Sequence, residues 1–278
     1  MKVTVLFTTY NSPCWLEKVL WGYSAQRYTN FDIVVADDGS TDDTRLLIEI
    51  MRKETGLDIK HVWHEDNGFQ KCEILNKAIL TVETDYIIFS DGDCIPHPDF
   101  IAEHLRYVKP NRFLTGSVMR LPMSTSELIC KEDIVNGTCF SWQWLVDNGL
   151  PVTRKHLKYK VTGWRAALMN VITPAPKSFL GCNASAWKQD IFDINGFDQR
   201  MQYGGLDREL GVRLRNNGIE AKHVRYNAHV LHLDHARGYR DPAMVAKNKK
   251  LRVFNEKHKI KTTEFGFNLL HKNTERSV

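Results

Sequence analysis

The sequence has 278 residues, of which 42% are hydrophobic and 26% are charged, with a formal net charge of +5. This composition is typical of a globular α/β protein, and no stretch approaches the roughly 20 apolar residues that a membrane-spanning helix needs. The N-terminus lacks a signal-peptide pattern, and the six cysteines contain no Cys-x-x-Cys pair, so we expect neither a disulfide framework nor a structural zinc site, and a reducing cytoplasm is the expected location.

The first 120 residues alternate between strand-like and helix-like segments. Apolar, β-branched runs predict strands, and apolar residues recurring every three or four positions predict helices. Ser12 is a candidate N-cap, and Pro13 follows it at the first helical position. This alternation predicts a mostly parallel sheet flanked by helices. The predicted strands span 3–8, 31–36, 59–63 and 86–90, and the predicted helices span 13–23, 41–53 and 71–82.

The second half of the sequence is less regular. Residues 120–175 carry several tryptophans among basic residues and show no clear periodicity. Beyond them we expect helices at 186–193 and 207–216 and two short strands within 222–233. The sequence shows no linker and no internal repeat, so it marks no clean boundary between two domains.

Two acids end the second predicted strand, in the motif DDGST at 37–41. The carboxyl ends of parallel strands are where open α/β sheets bind ligands, and an aspartate there can accept a hydrogen bond from a ribose hydroxyl or a pyrimidine N–H. The competing interpretation is a common Asp-Gly-Ser turn in which Ser40 or Thr41 caps the next helix. This segment alone leaves both interpretations open.

The fourth predicted strand also ends in acids, at Asp91-Gly92-Asp93. Residues two apart on an extended chain point the same way, and a glycine between them allows close backbone approach. Two such carboxylates form a hard-oxygen site for Mg²⁺ or Mn²⁺, which can hold a diphosphate and offset the charge on a departing nucleotide. The alternative is a simple turn, but like charges at the end of a buried strand disfavour one another without a counter-ion.

Taken together, the motifs of the first 120 residues resemble those of family 2 glycosyltransferases, which have the GT-A fold. They are Thr9-Tyr10-Asn11, DDGST, HEDNGFQKCEILNKA at 64–78 and the Asp-x-Asp triplet. The resemblance implies an α/β fold with a Rossmann-like central sheet and a smaller C-terminal acceptor-binding part. It also implies nucleoside contacts by Thr9, Asp38 and Asp91, a substrate contact by Tyr10, a diphosphate contact by Lys71 and a metal ligand at Asp93.

The segment 179–219 extends the resemblance to the acceptor half of galactosyltransferase-type and chondroitin-polymerase-type enzymes. It contains Asn-Gly-Phe-Asp at 195–198 and Gly-Gly-Leu-Asp at 204–207, where Leu206 replaces the first acid of the usual pair. By this resemblance Asp207 is the general base that takes a proton from the attacking hydroxyl. Its alternative role is a first-turn acid favoured by the helix dipole. Glu209 either contacts acceptor or pairs with Arg213.

The same resemblance implies a second metal ligand at His232, with His235 and Asp91 as second choices for the metal. Most histidines have no such role, and His235 is an equally spaced rival. Gly181, Asn183 and Trp187 are candidates to line the donor sugar. The remaining tryptophans are more simply interpreted as core residues.

The segment from Arg237 to Lys261 is basic: it contains nine Lys or Arg residues, and its only acids are Asp241 and Glu256. Because the sharpest motifs elsewhere are acidic and would repel phosphate backbones, we do not expect a nucleic-acid partner. The run is either a solvated basic face or a peripheral contact with the inner, anionic face of a membrane. The sequence leaves both open.

These residues, with the resemblance that they carry, imply an inverting transferase that moves a hexose or N-acetylhexosamine from a UDP-sugar, with Mn²⁺ or Mg²⁺, to a saccharide of a bacterial surface polysaccharide or lipid-linked glycan. We expect 1–120 to bind the nucleotide sugar, 121–240 to supply the acceptor site and base, and 241–278 to form a basic helical tail. One alternative is a nucleotidyltransferase, which needs a glycine- and arginine-rich loop where this chain has Thr8-Thr9-Tyr10-Asn11. The other is a non-catalytic sugar-nucleotide-binding module, which does not need Asp93 and Asp207 together.

Overall fold

A computed structural model describes residues 1–236 and 241–270 of the chain. Its strands and helices alternate through the first 91 residues, as the sequence predicts. The strands are β1 (Val3–Thr9), β2 (Phe31–Asp37), β3 (Ile59–Trp63), β4 (Tyr86–Asp91), β5 (Cys94–Pro96), β6 (Arg112–Thr115), β7 (Ser117–Arg120), β8 (Ala184–Trp187), β9 (Glu220–His223) and β10 (His229–His232).

The helices of the first half pack on the sheet, and shorter ones follow in the middle of the chain. Two 3₁₀ helices, Thr138–Phe140 and Arg154–Lys160, interrupt the irregular middle segment. The α-helices are α1 (Pro13–Ser24), α2 (Asp42–Thr55), α3 (Lys71–Leu80), α4 (Phe100–Arg106), α5 (Met123–Leu128), α6 (Lys131–Val135), α7 (Trp142–Asp147), α8 (Gly163–Ile172), α9 (Lys188–Asp193), α10 (Leu206–Asn216) and α11 (Pro242–Lys257). None of the helices among the described residues is both long enough and apolar enough to cross a membrane.

The central sheet has seven strands in the order β3-β2-β1-β4-β8-β6-β9. Strands β1 to β4 pair in parallel, and β8 runs antiparallel between β4 and β6. All seven residues of β1 are buried, because helices and loops cover both faces of the sheet. Alternate residues of β1 therefore contribute to two apolar cores, with Phe7 on one face and Leu6 on the other.

The register of these strands brings three carboxyl ends to one edge of the sheet. Thr9 at the end of β1 pairs with Asp37 at the end of β2, and Thr8 pairs with Asp91 at the end of β4. A second sheet has three strands in the order β5-β10-β7, and its strand β5 begins three residues after the end of β4. Its middle strand places His232 beside Cys94, one residue after the Asp-x-Asp triplet. The acidic strand ends are thus neighbours in space.

One predicted element is wrong at residues 184–187. The sequence predicts a helix over 186–193, but β8 occupies Ala184–Trp187 and α9 begins only at Lys188. Residues of β8 pair with β4 on one side and β6 on the other, so long-range ladder hydrogen bonds override the local helical pattern. The remaining predicted strands and helices of the first half agree with the structure to within a few residues.

Helix α11 is packed onto the domain. Asn248 and Asn255, both buried, face α10 and the turn before it. The Asn248 side-chain amide donates to the carbonyl of Gly204 at 3.1 Å, and the Asn255 amide donates to Glu209 Oε1 at 2.8 Å. The basic run that the sequence sets apart from the domain is therefore joined to it by buried side chains.

The buried imidazole of His104 links α4 to β8. Its Nε2–H donates to Asn183 Oδ1 at 3.0 Å, and its Nδ1 lies 2.8 Å from Ser185 Oγ. Burial lowers the pKa of His104 from 6.5 to about 4, and the hydrogen bond with Asn183 offsets only part of that effect. The ring is therefore neutral in the folded protein at neutral pH.

Because the folded pKa lies below the unfolded one, the contribution of His104 to stability is complete above pH 6.5 and is lost as the pH falls toward 4. We expect this loss to be up to about 3 kcal/mol in the free energy of unfolding. Urea unfolding of the wild type and of His104→Gln at pH 7, 5.5 and 4 measures it. The variant is less stable at pH 7, and the difference shrinks with acidification. A difference that stays constant across this range contradicts the assignment.

Candidate active site

A cleft of about 1210 Å³ opens at the carboxyl edge of the parallel strands. This volume exceeds the range of ordinary small-molecule pockets, which is roughly 300–1000 Å³, so there is room for two ligands side by side. The walls come from the end of β1, the start of α3, the loop after β4, the turn before α10, and α11. The residues predicted from the sequence that line the cleft are Thr9, Tyr10, Asp38, Lys71, Asp91, Asp93, Gly181, Asp207, His232 and His235.

Lys71 and Asp91 form an ion pair on the cleft floor. The Lys71 ammonium lies 2.7 Å from Asp91 Oδ1, and the Thr8 hydroxyl also donates to that oxygen at 3.3 Å. Burial by itself lowers the pKa of Lys71, but the neighbouring carboxylates, Asp91 foremost, raise it above its ordinary value. Lys71 is therefore a fixed positive charge that faces the cleft from the first turn of α3.

Gly92 lets the Asp-x-Asp triplet turn tightly against β1. Its N–H donates to the Thr8 carbonyl at 2.8 Å, and a Cβ at this position would lie only 2.8 Å from the same oxygen. Any side chain here would push the triplet away from β1. The close backbone approach that the sequence predicts at this glycine is confirmed.

Asp38 is held in place by the loop before α3. Its Oδ1 lies 2.8 Å from His64 Nε2, and its Oδ2 accepts from the Gln70 backbone N–H at 3.1 Å. Lys77 donates to His64 Nδ1 at 3.2 Å, so the neutral ring carries its proton on Nε2 and donates it to Asp38. Lys77 is paired in turn with Glu73 at 2.7 Å. A carboxylate has further lone pairs, so Asp38 can still accept from a ligand in the cleft.

Thr9 and Tyr10 occupy the cleft wall beside Asp38. The Thr9 hydroxyl is buried and has no hydrogen-bond partner among the residues that the structure describes. An orphaned buried hydroxyl at a cleft wall is the kind of group that a bound ligand satisfies. Tyr10 is about half exposed, and its hydroxyl donates to Asp66 at 2.9 Å, which restrains the side chain at the cleft wall.

Asp93 faces two histidines from β10 and the loop after it. Its Oδ2 lies 3.7 Å from His232 Nε2 and 3.0 Å from His235 Nε2. The Nδ1 atom of each ring lies within 2.9 Å of a backbone carbonyl, Leu233 for His232 and Ala236 for His235. A carbonyl can only accept, so each neutral ring holds its proton on Nδ1 and presents an Nε2 lone pair toward Asp93.

Two lone pairs aimed at a carboxylate require a proton or a cation between them, and this donor set fits a divalent cation. When protons rather than a cation occupy these positions, both rings are charged: burial raises the pKa of Asp93, but the hydrogen bond with His235 and the charges of His232 and His235 lower it more, to about 2. The carboxylate is therefore ionised at any physiological pH. The backbone supports this geometry, since the Leu233 N–H donates to the Asp93 carbonyl at 2.9 Å.

Asp207 faces the cleft from the first turn of α10. Gly205, with a φ of +80°, precedes this helix and turns the chain sharply into it. One carboxylate oxygen of Asp207 accepts from the Gly181 N–H at 3.1 Å, and the other accepts from the N–H of Arg208 at 2.8 Å. The side chain is thus oriented by backbone groups on two segments.

Three residues predicted to contact substrate lie outside the cleft, and we correct these predictions. Asn183 is completely buried, and its amide donates to the carbonyls of Ser117 and Ala228. Trp187 packs edge-on against Tyr86 and donates to the Lys109 carbonyl, far from the strand ends. Glu209 is completely buried in an ion pair with Arg213 at 2.7 Å, which is the alternative that the helical spacing allowed.

The sequence interpretation missed several residues that line the cleft. The aromatic ones are Trp15, at the first turn of α1, and Phe69 and Tyr203, whose rings meet edge-on at 5.9 Å. Phe69 lies within the motif at 64–78, so its neighbours already marked it as a candidate. The missed cations include Arg208, Lys249 and Arg252, which share the cleft wall with Asp207, and Arg120 at the end of β7. Nothing in the sequence separates these from solvated basic residues.

A parallel sheet with an Asp-x-Asp triplet at its carboxyl edge and a helix-borne acid across the cleft is the architecture of GT-A glycosyltransferases. Residues 4–138 match the profile of Glycosyl transferase family 2, and residues 170–236 match a profile described as the N-terminal domain of galactosyltransferase. The chain therefore belongs to glycosyltransferase family 2, as its motifs predict.

Curated relatives include three bacterial enzymes. A hyaluronan synthase of Pasteurella multocida is 25% identical over 78% of this chain and 23% of its own length. A chondroitin synthase of Escherichia coli is 26% identical over 80% of this chain and 33% of its own length. A validoxylamine A glucosyltransferase of Streptomyces hygroscopicus is 28% identical over 78% of this chain and 52% of its own length. The chain thus spans only about a quarter to a half of these relatives.

Solved structures agree on the fold. TarS of S. aureus, residues 1–349 in complex with UDP-GlcNAc, superposes with a TM-score of 0.66 and 17% identity, covering 93% of this chain and 69% of that one. The mannosyltransferase PcManGT of Pyrobaculum calidifontis, in complex with GDP-Man and Mn²⁺, superposes with a TM-score of 0.58 and 19% identity, covering 85% and 58%. At such identities the likeness establishes the GT-A fold alone.

Proposed function

We propose that the protein transfers a hexose or N-acetylhexosamine from a UDP-sugar to a saccharide hydroxyl, with inversion at the anomeric carbon. The observation that carries this proposal is the position of Asp207 in the same cleft as the Lys71–Asp91 pair and Asp93. A pure binding module needs no base opposite its nucleotide site. The relatives that bear the names of polysaccharide synthases support an acceptor belonging to a bacterial surface polysaccharide or a lipid-linked glycan.

The nucleotide half of the cleft supplies the groups that this reaction needs. Asp38 and the unpartnered Thr9 hydroxyl are suited to the polar edge of a nucleobase or ribose. Lys71 is suited to a diphosphate, which can replace Asp91 as its partner when the donor enters. Its fixed positive charge stabilises the negative charge that develops on the departing UDP.

Asp93 and His232 are the proposed ligands of the divalent cation, with His235 as the second choice of imidazole and Asp91 as the second choice of carboxylate. A cation held there supplies Lewis-acid stabilisation of the diphosphate leaving group. The mixed oxygen and nitrogen donors favour Mn²⁺ over Mg²⁺, because Mg²⁺ prefers oxygen ligands throughout.

Asp207 is the proposed general base. Its carboxylate is oriented by the Gly181 and Arg208 N–H groups, so it can accept the proton of an acceptor hydroxyl without first changing rotamer. That hydroxyl oxygen forms the new glycosidic bond while the bond from the anomeric carbon to the diphosphate breaks. The electron pair leaves with UDP, and the proton remains on Asp207.

A thermal-shift titration tests the nucleotide and cation sites together. We expect UDP with Mn²⁺ to stabilise the protein by about 2.7 kcal/mol at a ligand concentration about 100 times Kd, and more than either ligand alone. The variant Asp93→Ala should lose the part that depends on Mn²⁺, whereas Asp58→Ala, at the opposite end of the sheet, should retain it. If Mn²⁺ adds nothing to the UDP effect in the wild type, the cation site is wrong. Acceptor-dependent release of UDP then separates an enzyme from a binding module.

A further inference from the structure

Three cations line the cleft on the side of Asp207, and the proposed reaction assigns them no role. They are Arg208, on the residue after the proposed base, and Lys249 and Arg252 of α11. Resting on the proposed function, we propose that these residues, which we call the basic wall, bind a negatively charged group of the acceptor. The acceptor would thus be an anionic saccharide that carries a carboxylate or a phosphate near the hydroxyl that reacts.

The basic wall is fixed in position by buried contacts. Asn248 lies next to Lys249 and one helical turn before Arg252, and its amide donates to the backbone carbonyls of the turn that leads to Asp207. A Cβ at Gly204 in this turn would lie 2.9 Å from Val245 of α11, so the two segments are in direct contact. Further along the helix, Asn255 contacts α10 through Glu209. Arg252 lies between these anchors, beside the first turn of α10.

Within residues 1–236 and 241–270, no carboxylate lies within ion-pair distance of any of the three cations of the basic wall. The cleft acids other than Asp207 already have partners: Asp91 pairs with Lys71, Asp38 with His64, and Asp93 with His235. Within the described part of the chain, Asp207 accepts hydrogen bonds from backbone N–H groups alone. This end of the cleft therefore carries a local excess of positive charge.

The donor does not account for this excess. A UDP-sugar carries two negative charges on its diphosphate. In the proposed site, the divalent cation and Lys71 at the strand ends neutralise those charges. An anion bound on the acceptor side would instead find two guanidinium groups and an ammonium group around it. Arginine binds carboxylate and phosphate through paired N–H groups, and lysine binds them as a point charge. A neutral sugar offers hydroxyls, which need no such charges.

The experiment measures binding of small acceptor probes to the full chain saturated with UDP and Mn²⁺. The probes are glucuronate for a carboxylate, glycerol 3-phosphate for a phosphate, and methyl β-glucoside as the neutral reference. We expect one anionic probe to bind at least about tenfold more tightly than the glucoside, and to lose about tenfold in Lys249→Gln/Arg252→Gln, as expected for a lost charge-assisted hydrogen bond. The anion that binds identifies the source of the charge.

The matched control is Lys247→Gln/Lys250→Gln, which removes the same charge from α11 at positions that do not line the cleft. This control should bind the anionic probes as the wild type does. Equal binding of neutral and anionic probes by the wild type overturns the proposal, as does a loss of UDP affinity in Lys249→Gln/Arg252→Gln, since the cations would then serve the donor. If the wild type fails to bind UDP at all, the proposed function fails, and titration of the probes without UDP still tests the basic wall.

Discussion

Replacement of Asp207 by asparagine should lower the rate of sugar transfer by about 10²–10⁴-fold, which is the usual contribution of general acid–base catalysis. Asparagine keeps the shape of the side chain and can still accept from the Gly181 N–H, so the turn before α10 should not move. It cannot take the proton of the acceptor hydroxyl. Affinity for UDP with Mn²⁺ should therefore remain that of the wild type, while turnover falls. Initial rates of UDP release with acceptor, and titration calorimetry of UDP, measure the two quantities.

Asp193→Asn is the matched control for this experiment. Asp193 is an exposed acid on α9 and is not part of the cleft. Its variant should transfer sugar at the wild-type rate. Substantial residual turnover in Asp207→Asn would remove this carboxylate from the mechanism, and a parallel loss of UDP affinity would make it a donor-binding residue instead.

Replacement of Arg213 by methionine should have the largest effect on stability, a loss of about 3–5 kcal/mol in the free energy of unfolding. Arg213 and Glu209 are both completely buried, and the guanidinium also donates to the carbonyls of Ile194 and Gly196. Methionine fills much of the same space but leaves the Glu209 carboxylate without its positive partner, and the Asn255 amide is then its one side-chain donor among the described residues. Urea unfolding monitored by circular dichroism gives the change.

Arg215→Met tests whether burial is the cause. Arg215 lies on the same helix and pairs with Glu256 at 3.4 Å, but both side chains are exposed. Surface pairs of this kind contribute about 0–1 kcal/mol, so this variant should unfold close to the wild type. Similar losses for Arg213→Met and Arg215→Met would show that the buried pair contributes no more to the free energy of unfolding than the exposed pair does.

The proposed nucleotide half of the site could be predicted from the sequence because its acids lie at or just after the end of a buried strand. A short apolar run predicts the strand, and the parallel arrangement predicts the edge of the sheet at which the strand ends. The positions of Asp38, Asp91 and Asp93 at that edge follow from these two predictions. Gly92 was predictable for the same reason, since the residue between the two acids must approach β1.

The proposed acceptor half was harder to predict because the positions of its residues depend on contacts between distant segments. Trp187 belongs to β8 and Asn183 directly precedes it, and the place of this strand in the sheet depends on pairing with β4 and β6. A polar or aromatic residue near a glycine-rich motif gives no sign of whether it faces a cleft or a core. Similarly, the charges of Lys249 and Arg252 are visible in the sequence, but the side of α11 that faces the cleft depends on Asn248 and Asn255.

Because Asn248 and Asn255 join α11 to the domain, the C-terminal basic segment cannot be removed without loss of buried contacts. Deleting the segment would take away a hydrogen-bond donor from the buried Glu209 and expose the Gly204–Gly205 turn to solvent. A shortened protein that failed to associate with lipid vesicles, or lost activity, would thus report damage to the fold rather than the absence of positive charge. Neutralising individual lysines on the intact helix separates the two effects.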